Sequence, residues 1–262
     1  MTVRLSPHFQ TLPRWASKVA YPGDWVKVID PGTGISARFP GKKLVGRWYI
    51  PNEDEYIRQG GEGADEYFLR LFPKYREVQG EVAAFECVNE PVVSHIGQAD
   101  ALAAFLSRWV WQMHRFDWPT AVPAFSMGNP AMWVIPALRD VWAETDYMSL
   151  HEYARRYMGE PDTPFLALRH RLIYERLAEL GIRRPPLLIT ETGIDRGGVG
   201  YRGKPGNTPW SSYLSQLAWY NTELEQDSYV CAAFVFTSGA TRTWASFNVG
   251  EAEWRDLARA LS

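Results

Sequence analysis

Cysteine is scarce in this chain: Cys87 and Cys231 are the only two. Both fall in apolar, strand-like runs and read as small buried hydrophobes, which leaves no disulfide framework and no reactive thiol. No stretch reaches the roughly eighteen apolar residues that span a bilayer. The segment Met1-Thr2-Val3-Arg4-Leu5-Ser6-Pro7 has no apolar signal core. The chain as it stands therefore reads as unexported, cytoplasmic by default and secreted if a leader was removed. Excess charge of one sign is also missing. A net charge of -2 over 262 residues argues against nucleic acid or a membrane surface as partner. His8, His95, His114 and His170 show no His-x-His or His-Glu-x-x-His spacing, which counts against a metal site. No Gly-x-Gly-x-x-Gly follows the first strand, which counts against a dinucleotide cofactor and an open doubly wound sheet.

Aromatic residues, by contrast, are plentiful: 12 Trp, 13 Tyr and 12 Phe. Flat aromatic faces suit sugar rings, and they also fill cores. Eight β-rich runs punctuate the chain. They are Val3–Phe9, Trp25–Asp30, Leu44–Ile50, Ala83–Val88, Ala121–Phe125, Tyr147–Tyr153, Pro186–Gly193 and Tyr229–Phe236. Helical patterns fall between them at Leu12–Val19, Ala64–Val78 with a kink or restart at Pro73, Ala99–Phe116, Pro130–Ala143, Phe165–Leu180, Thr208–Gln226 and Glu251–Leu261. Only residues 33–43, rich in Gly and Pro, predict no crossover helix or a very short one. Alternation of this kind means a parallel sheet, and eight units in about 250 residues is the usual size of a closed (β/α)8 barrel. With no repeat or composition break, residues 1–262 read as one domain.

In such a barrel every strand opens its carboxyl end on one face. The fourth run ends in Asn89-Glu90-Pro91 and the seventh in Thr190-Glu191-Thr192-Gly193. Two strand-end glutamates thus converge on one cleft, where a pair about 5–5.5 Å apart can cleave a glycosidic bond with retention. At that separation their charges couple, one staying ionised while the other holds a proton. Arg47 and Tyr49 lie near the carboxyl end of the third run, and His151 and Tyr153 end the sixth. Trp48 and Trp244 belong to the cleft face or to the packing. The loop Arg196–Lys204 reads as solvated, or as a cover that contacts an anionic sugar.

Asn89-Glu90-Pro91 on a fourth strand and Ile189-Thr190-Glu191-Thr192-Gly193 on a seventh resemble the clan A glycoside hydrolases, retaining barrels with acid/base and nucleophile on those strands. The resemblance implies Glu90 as acid/base, Glu191 as nucleophile and Asn89 as the amide that binds the sugar 2-hydroxyl. It implies that Tyr153 or His151 orients Glu191 and that Arg47 keeps it ionised, though Arg47 could instead pair with a loop carboxylate. Two departures stand out. Many members carry a tryptophan at the end of strand eight, where this chain has Phe236-Thr237 with Trp244 beyond, and their arginine lies one strand before Arg47. The expected activity is hydrolysis of a β-glycosidic bond in an oligo- or polysaccharide without metal or organic cofactor. Transglycosylation, a non-catalytic carbohydrate-binding barrel and a metal-dependent barrel hydrolase are the alternatives.

Overall fold

The computed structural model describes residues 3–159, 166–204 and 206–262. Eight parallel strands close a barrel in chain order: β1 (Leu5–Phe9), β2 (Trp25–Ile29), β3 (Lys43–Arg47), β4 (Ala84–Glu86), β5 (Thr120–Phe125), β6 (Tyr147–Ala154), β7 (Leu187–Ile194) and β8 (Val230–Ser238), with β8 pairing back onto β1. The helices are α1 (Ile35–Arg38), α2 (Glu53–Arg58), α3 (Gly61–Glu77), α4 (Ile96–His114), α5 (Arg139–Glu144), α6 (Arg169–Glu179), α7 (Trp210–Glu225) and α8 (Glu251–Ala260). The fold is a (β/α)8 barrel, as the alternation of runs predicts.

Several elements differ from their sequence expectation. Leu12–Val19 forms only a 3-10 turn at Ala16–Lys18. The polar stretch before α3 contains an additional helix, α2, and α3 runs through Pro73 as one helix. Pro130–Ala143 is divided into a 3-10 turn, Ile135–Leu138, and α5. Of the expected Phe165–Leu180 helix, residues 169–179 are helical, and Phe165 lies outside the described residues. The expected Thr208–Gln226 helix starts at Trp210 with Pro209 in the cap position, and the Thr208 hydroxyl accepts from Arg196 Nη2 at 2.6 Å. The Arg196–Lys204 loop is fastened down, because Arg202 pairs with Glu253 of α8 and its N–H donates to Ser246 O at 3.0 Å.

Alternation along the strands divides the core into layers. Trp25, Val45, Ala84, Ala121, Leu188, Ala232 and Phe234 form a small apolar cluster of their own within the barrel. The larger cluster fills the space between strands and helices. A third cluster, Tyr153, Phe236 and Phe247 with Met127 and Trp244, gathers strand-end and loop residues of β5, β6 and β8. On β2, β3 and β4 the residue two positions past the inner apolar layer is charged: Lys27 follows Trp25, Arg47 follows Val45 and Glu86 follows Ala84, and all three are buried. The barrel is thus apolar at one depth and charged at the next, toward its carboxyl-terminal mouth.

Candidate active site

Backbone irregularities aim the two carboxylates. The β6–β7 register runs Leu150↔Ile189 and then His151↔Glu191, so Thr190 is an extra residue on β7. Such a bulge turns the following side chain, and here it sets Glu191 opposite His151. On the other side, Glu90 adopts φ 47°, a left-handed conformation uncommon outside glycine, while its N–H donates to Ala124 O at 2.9 Å. Gly193 is required two residues past Glu191, because a Cβ there would meet the Tyr213 hydroxyl at 2.5 Å.

Each glutamate then has its own donor. Tyr153 Oη donates to Glu191 Oε2 at 2.7 Å, and His151 Nδ1 lies 2.9 Å from Glu90 Oε1 and 3.6 Å from Glu191 Oε2. His151 therefore serves Glu90 first. Lys27 Nζ stands 3.6 Å from Glu191 Oε1 and 2.6 Å from Glu86 Oε2, so the buried cation beside Glu191 is held by a second buried carboxylate. Arg47 instead pairs with Glu53 of α2 at 3.4 Å, and the same Glu53 oxygen accepts the Asn89 N–H at 2.7 Å. The expectation that Arg47 hydrogen-bonds Glu191 is corrected: β2 supplies the cation, one strand earlier, and Arg47 fastens α2 to the end of β4.

These surroundings set the charge states. Burial pushes the Glu90 carboxyl up, but the His151 hydrogen bond and charge, with Arg47 and Lys27 behind, outweigh it and hold Glu90 below its ordinary value. Burial, then Glu191, raises the Tyr153 phenol well above its ordinary value, so it remains a proton donor. His8, on β1 at the register of Lys27, stacks on Phe236 with centroids 5.0 Å apart. Burial and the charges of Lys27, His151 and Arg47 hold it well below its ordinary value and neutral. Glu53 is raised by burial despite Arg47 and the Asn89 amide.

The remaining sequence candidates separate cleanly. Asn89 lies beside Glu90, and its Oδ1 has no protein partner among the described residues. Phe236 is buried with Tyr153 at the mouth, and Trp244 meets it edge-on with centroids 5.4 Å apart. Trp48 does not face the cleft. Only 4% exposed, it packs on Tyr75 and Phe85 in the layer between strands and helices. Strand parity explains the correction: Arg47 points in, so Trp48 points out.

Behind β6 a second charged group is buried. Glu152, between His151 and Tyr153, faces α6 and α7. It accepts the His170 and Leu168 N–H groups at 2.6 and 2.9 Å, the Tyr220 hydroxyl at 2.6 Å and His170 Nδ1 at 2.9 Å. His170 Nε2 reaches Asp227 at 3.1 Å. Burial pushes His170 down, yet Glu152 and Asp227 carry it up to about 9.

Sequence spacing missed Lys27, Glu86, Glu53 and His8. Lys27 alternates with Val26 and Val28 and passes for an exposed face of a strand. Lys27 sits in the middle of its strand, paired with Val45, so no strand-end signal marked it. Glu90, His151 and Glu191 also form a group whose donor atoms lie within 4.8 Å of one another, close enough to hold a metal ion. They come from three strands, so no local histidine motif could have revealed the group. Two surface cavities, about 360 and 350 Å³, lie against α3–α4 and α7 and touch none of these residues.

Fold and site together define a (β/α)8 barrel with paired carboxylates at the carboxyl ends of β4 and β7. No protein-family model and no curated protein matches the chain. Among solved structures it is similar to a GH128 (subgroup V) exo-β-1,3-glucanase from Cryptococcus neoformans, with TM-score 0.60 and 12% identity, covering 99% of this chain and 100% of that one. It is also similar to a glycoside hydrolase family 5 enzyme from Prevotella bryantii B14 (TM-score 0.60, 10% identity, 100% and 96% covered). A GH39 enzyme from Xanthomonas axonopodis pv. citri gives TM-score 0.62 at 11% identity, with 98% and 65% covered. At these identities the likeness is one of fold.

Proposed function

We propose that this chain is a retaining glycoside hydrolase acting on a β-glycosidic bond. The observation that carries the reading is the pairing of Glu90 and Glu191, with carboxylate oxygens within 4.8 Å and each held by a separate donor from β6. Such closeness suits attack by one carboxylate and leaves little room for the water that inversion needs. Glu191 attacks the anomeric carbon while Glu90 gives its proton to the departing oxygen, and the C–O bond to the leaving group breaks. Glu90, now ionised, takes a proton from water. The resulting hydroxide attacks the same carbon and releases Glu191. A leaving group seated over Glu90 displaces water from it, strengthening the desolvation that pushes its carboxyl up toward the protonated form. The neighbours of this fold include glucanases, a xylosidase and glucosidases, which supports a carbohydrate substrate.

Incubation with activated 2-deoxy-2-fluoro β-glycosides, followed by intact mass and peptide mapping, tests the reading. A covalent sugar on Glu191 is expected. Adduct formation elsewhere, or turnover with inverted product configuration, would remove it. A metal-dependent hydrolase is the second reading, favoured by the Glu90, His151 and Glu191 donor group. Loss of activity on chelation, restored by a divalent ion, would select it.

A further inference from the structure

We infer that Tyr49 is a platform for a sugar on the leaving-group side of the cleft, so that the scissile bond joins two sugars. This rests on the retaining-hydrolase reading above. The two carboxylates differ in depth: the Glu191 side chain is 10% exposed and that of Glu90 40%. The glycone attacked by Glu191 therefore sits deep, and the leaving group protonated by Glu90 lies toward solvent. Tyr49 is 68% exposed on the loop after β3, and Val92 and Ile96 are 70% and 61% exposed after β4.

Tyr49 is shown to solvent by a fixed backbone. Its neighbours Trp48 and Ile50 are both buried, and its N–H donates to Asp30 Oδ1 at 3.2 Å. The loop that carries it is bracketed by Arg47 and Glu53, which pair with each other, and Glu53 in turn holds the Asn89 N–H beside Glu90. An aromatic ring on a rigid pedestal loses little conformational freedom on stacking, and its face suits the C–H side of a pyranose. β3 adjoins β4 in the barrel and is remote from β7, so the loop that carries Tyr49 starts nearer Glu90 than Glu191.

The test compares the intact protein with Tyr49→Ala, Tyr49→Phe and, as a distant exposed aromatic on α7, Trp219→Ala. The probes are laminari-, cello- and xylo-oligosaccharides and the matching 4-nitrophenyl β-glycosides, whose leaving group needs no sugar platform. Tyr49→Ala should lose roughly fivefold to tenfold in kcat/KM on oligosaccharides, chiefly through KM. Its aryl-glycoside rates, the Tyr49→Phe variant and Trp219→Ala should stay close to wild type. Equal losses on both substrate types, or none on either, would overturn the platform. If the wild type turns over no glycoside, calorimetric titration with the same oligosaccharides and their monosaccharides decides separately. Weaker oligosaccharide binding by Tyr49→Ala, with monosaccharide binding intact, keeps the platform and removes the hydrolase. Identical binding by both proteins removes the platform.

Discussion

Glu191 receives the Tyr153 hydroxyl on one oxygen and faces the Lys27 ammonium with the other. Both donors hold the carboxylate in one orientation. Tyr153→Phe deletes a hydrogen bond to a charged group, worth about 1.5–3 kcal/mol, and should lower kcat about 10- to 100-fold with KM little changed. Steady-state kinetics on an aryl glycoside checks this, and an unchanged kcat would mean that Tyr153 does not act on the nucleophile. Under the proposed mechanism, Glu90→Ala removes the proton donor and its deprotonating counterpart together. Azide, which needs no deprotonation, should then restore turnover on substrates with good leaving groups and yield the β-glycosyl azide. At this scale the meeting of Glu90, Glu191, His151 and Tyr153 was legible, because a barrel opens all its strand ends on one face. Lys27 and Glu86 were not, since a single charge inside an alternating strand looks the same whether it faces solvent or the barrel axis.

At the level of the element, β6 is the strand on which the site depends. One face presents His151 and Tyr153, and the other is bolted by Glu152 to the start of α6 and to α7. His170, carried up to about 9 from an ordinary 6.5, is the cation in that bolt. Its contribution to stability is complete below pH 6.5 and is lost as pH rises through about 9. Glu152 and Asp227, whose carboxyls are held below their ordinary values by His170 despite burial, contribute with the opposite sign and lose their share in acid. Thermal unfolding followed across pH should show the wild-type melting temperature falling between pH 7 and 10 more steeply than that of His170→Asn. Parallel curves would count against the ion pair as its origin. Helix positions were broadly legible from the periodicity of apolar residues, as in α4 and α8. The short α2 was not, because Glu53-Asp54-Glu55 reads as a polar loop, and with it went the residue that secures Arg47.

For the molecule as a whole, closure of the barrel brings the two ends of the chain together at the β1–β8 seam. Asn221 of α7 accepts the Arg4 N–H at 2.9 Å through Oδ1, and Trp254 of α8 donates to Ser238 Oγ at 2.7 Å while its ring packs edge-on to Tyr21. Trp254 is fully buried, so Trp254→Ala should cost about 3–5 kcal/mol, seen as a lower denaturation midpoint at unchanged slope. A changed slope would instead point to a seam that opens separately from the rest. Closure itself was legible from eight alternating units. The bulge at Thr190 that turns Glu191 was not, because a bulge leaves no composition signal. The two-sided construction of β6 has a further consequence for how this chain tolerates change. In a saturation scan scored by activity, Glu152 should accept as few substitutions as Glu90 or Glu191 although it lies on the opposite face of β6 from them. Searches that infer chemistry from intolerance alone would therefore nominate it as a third acid.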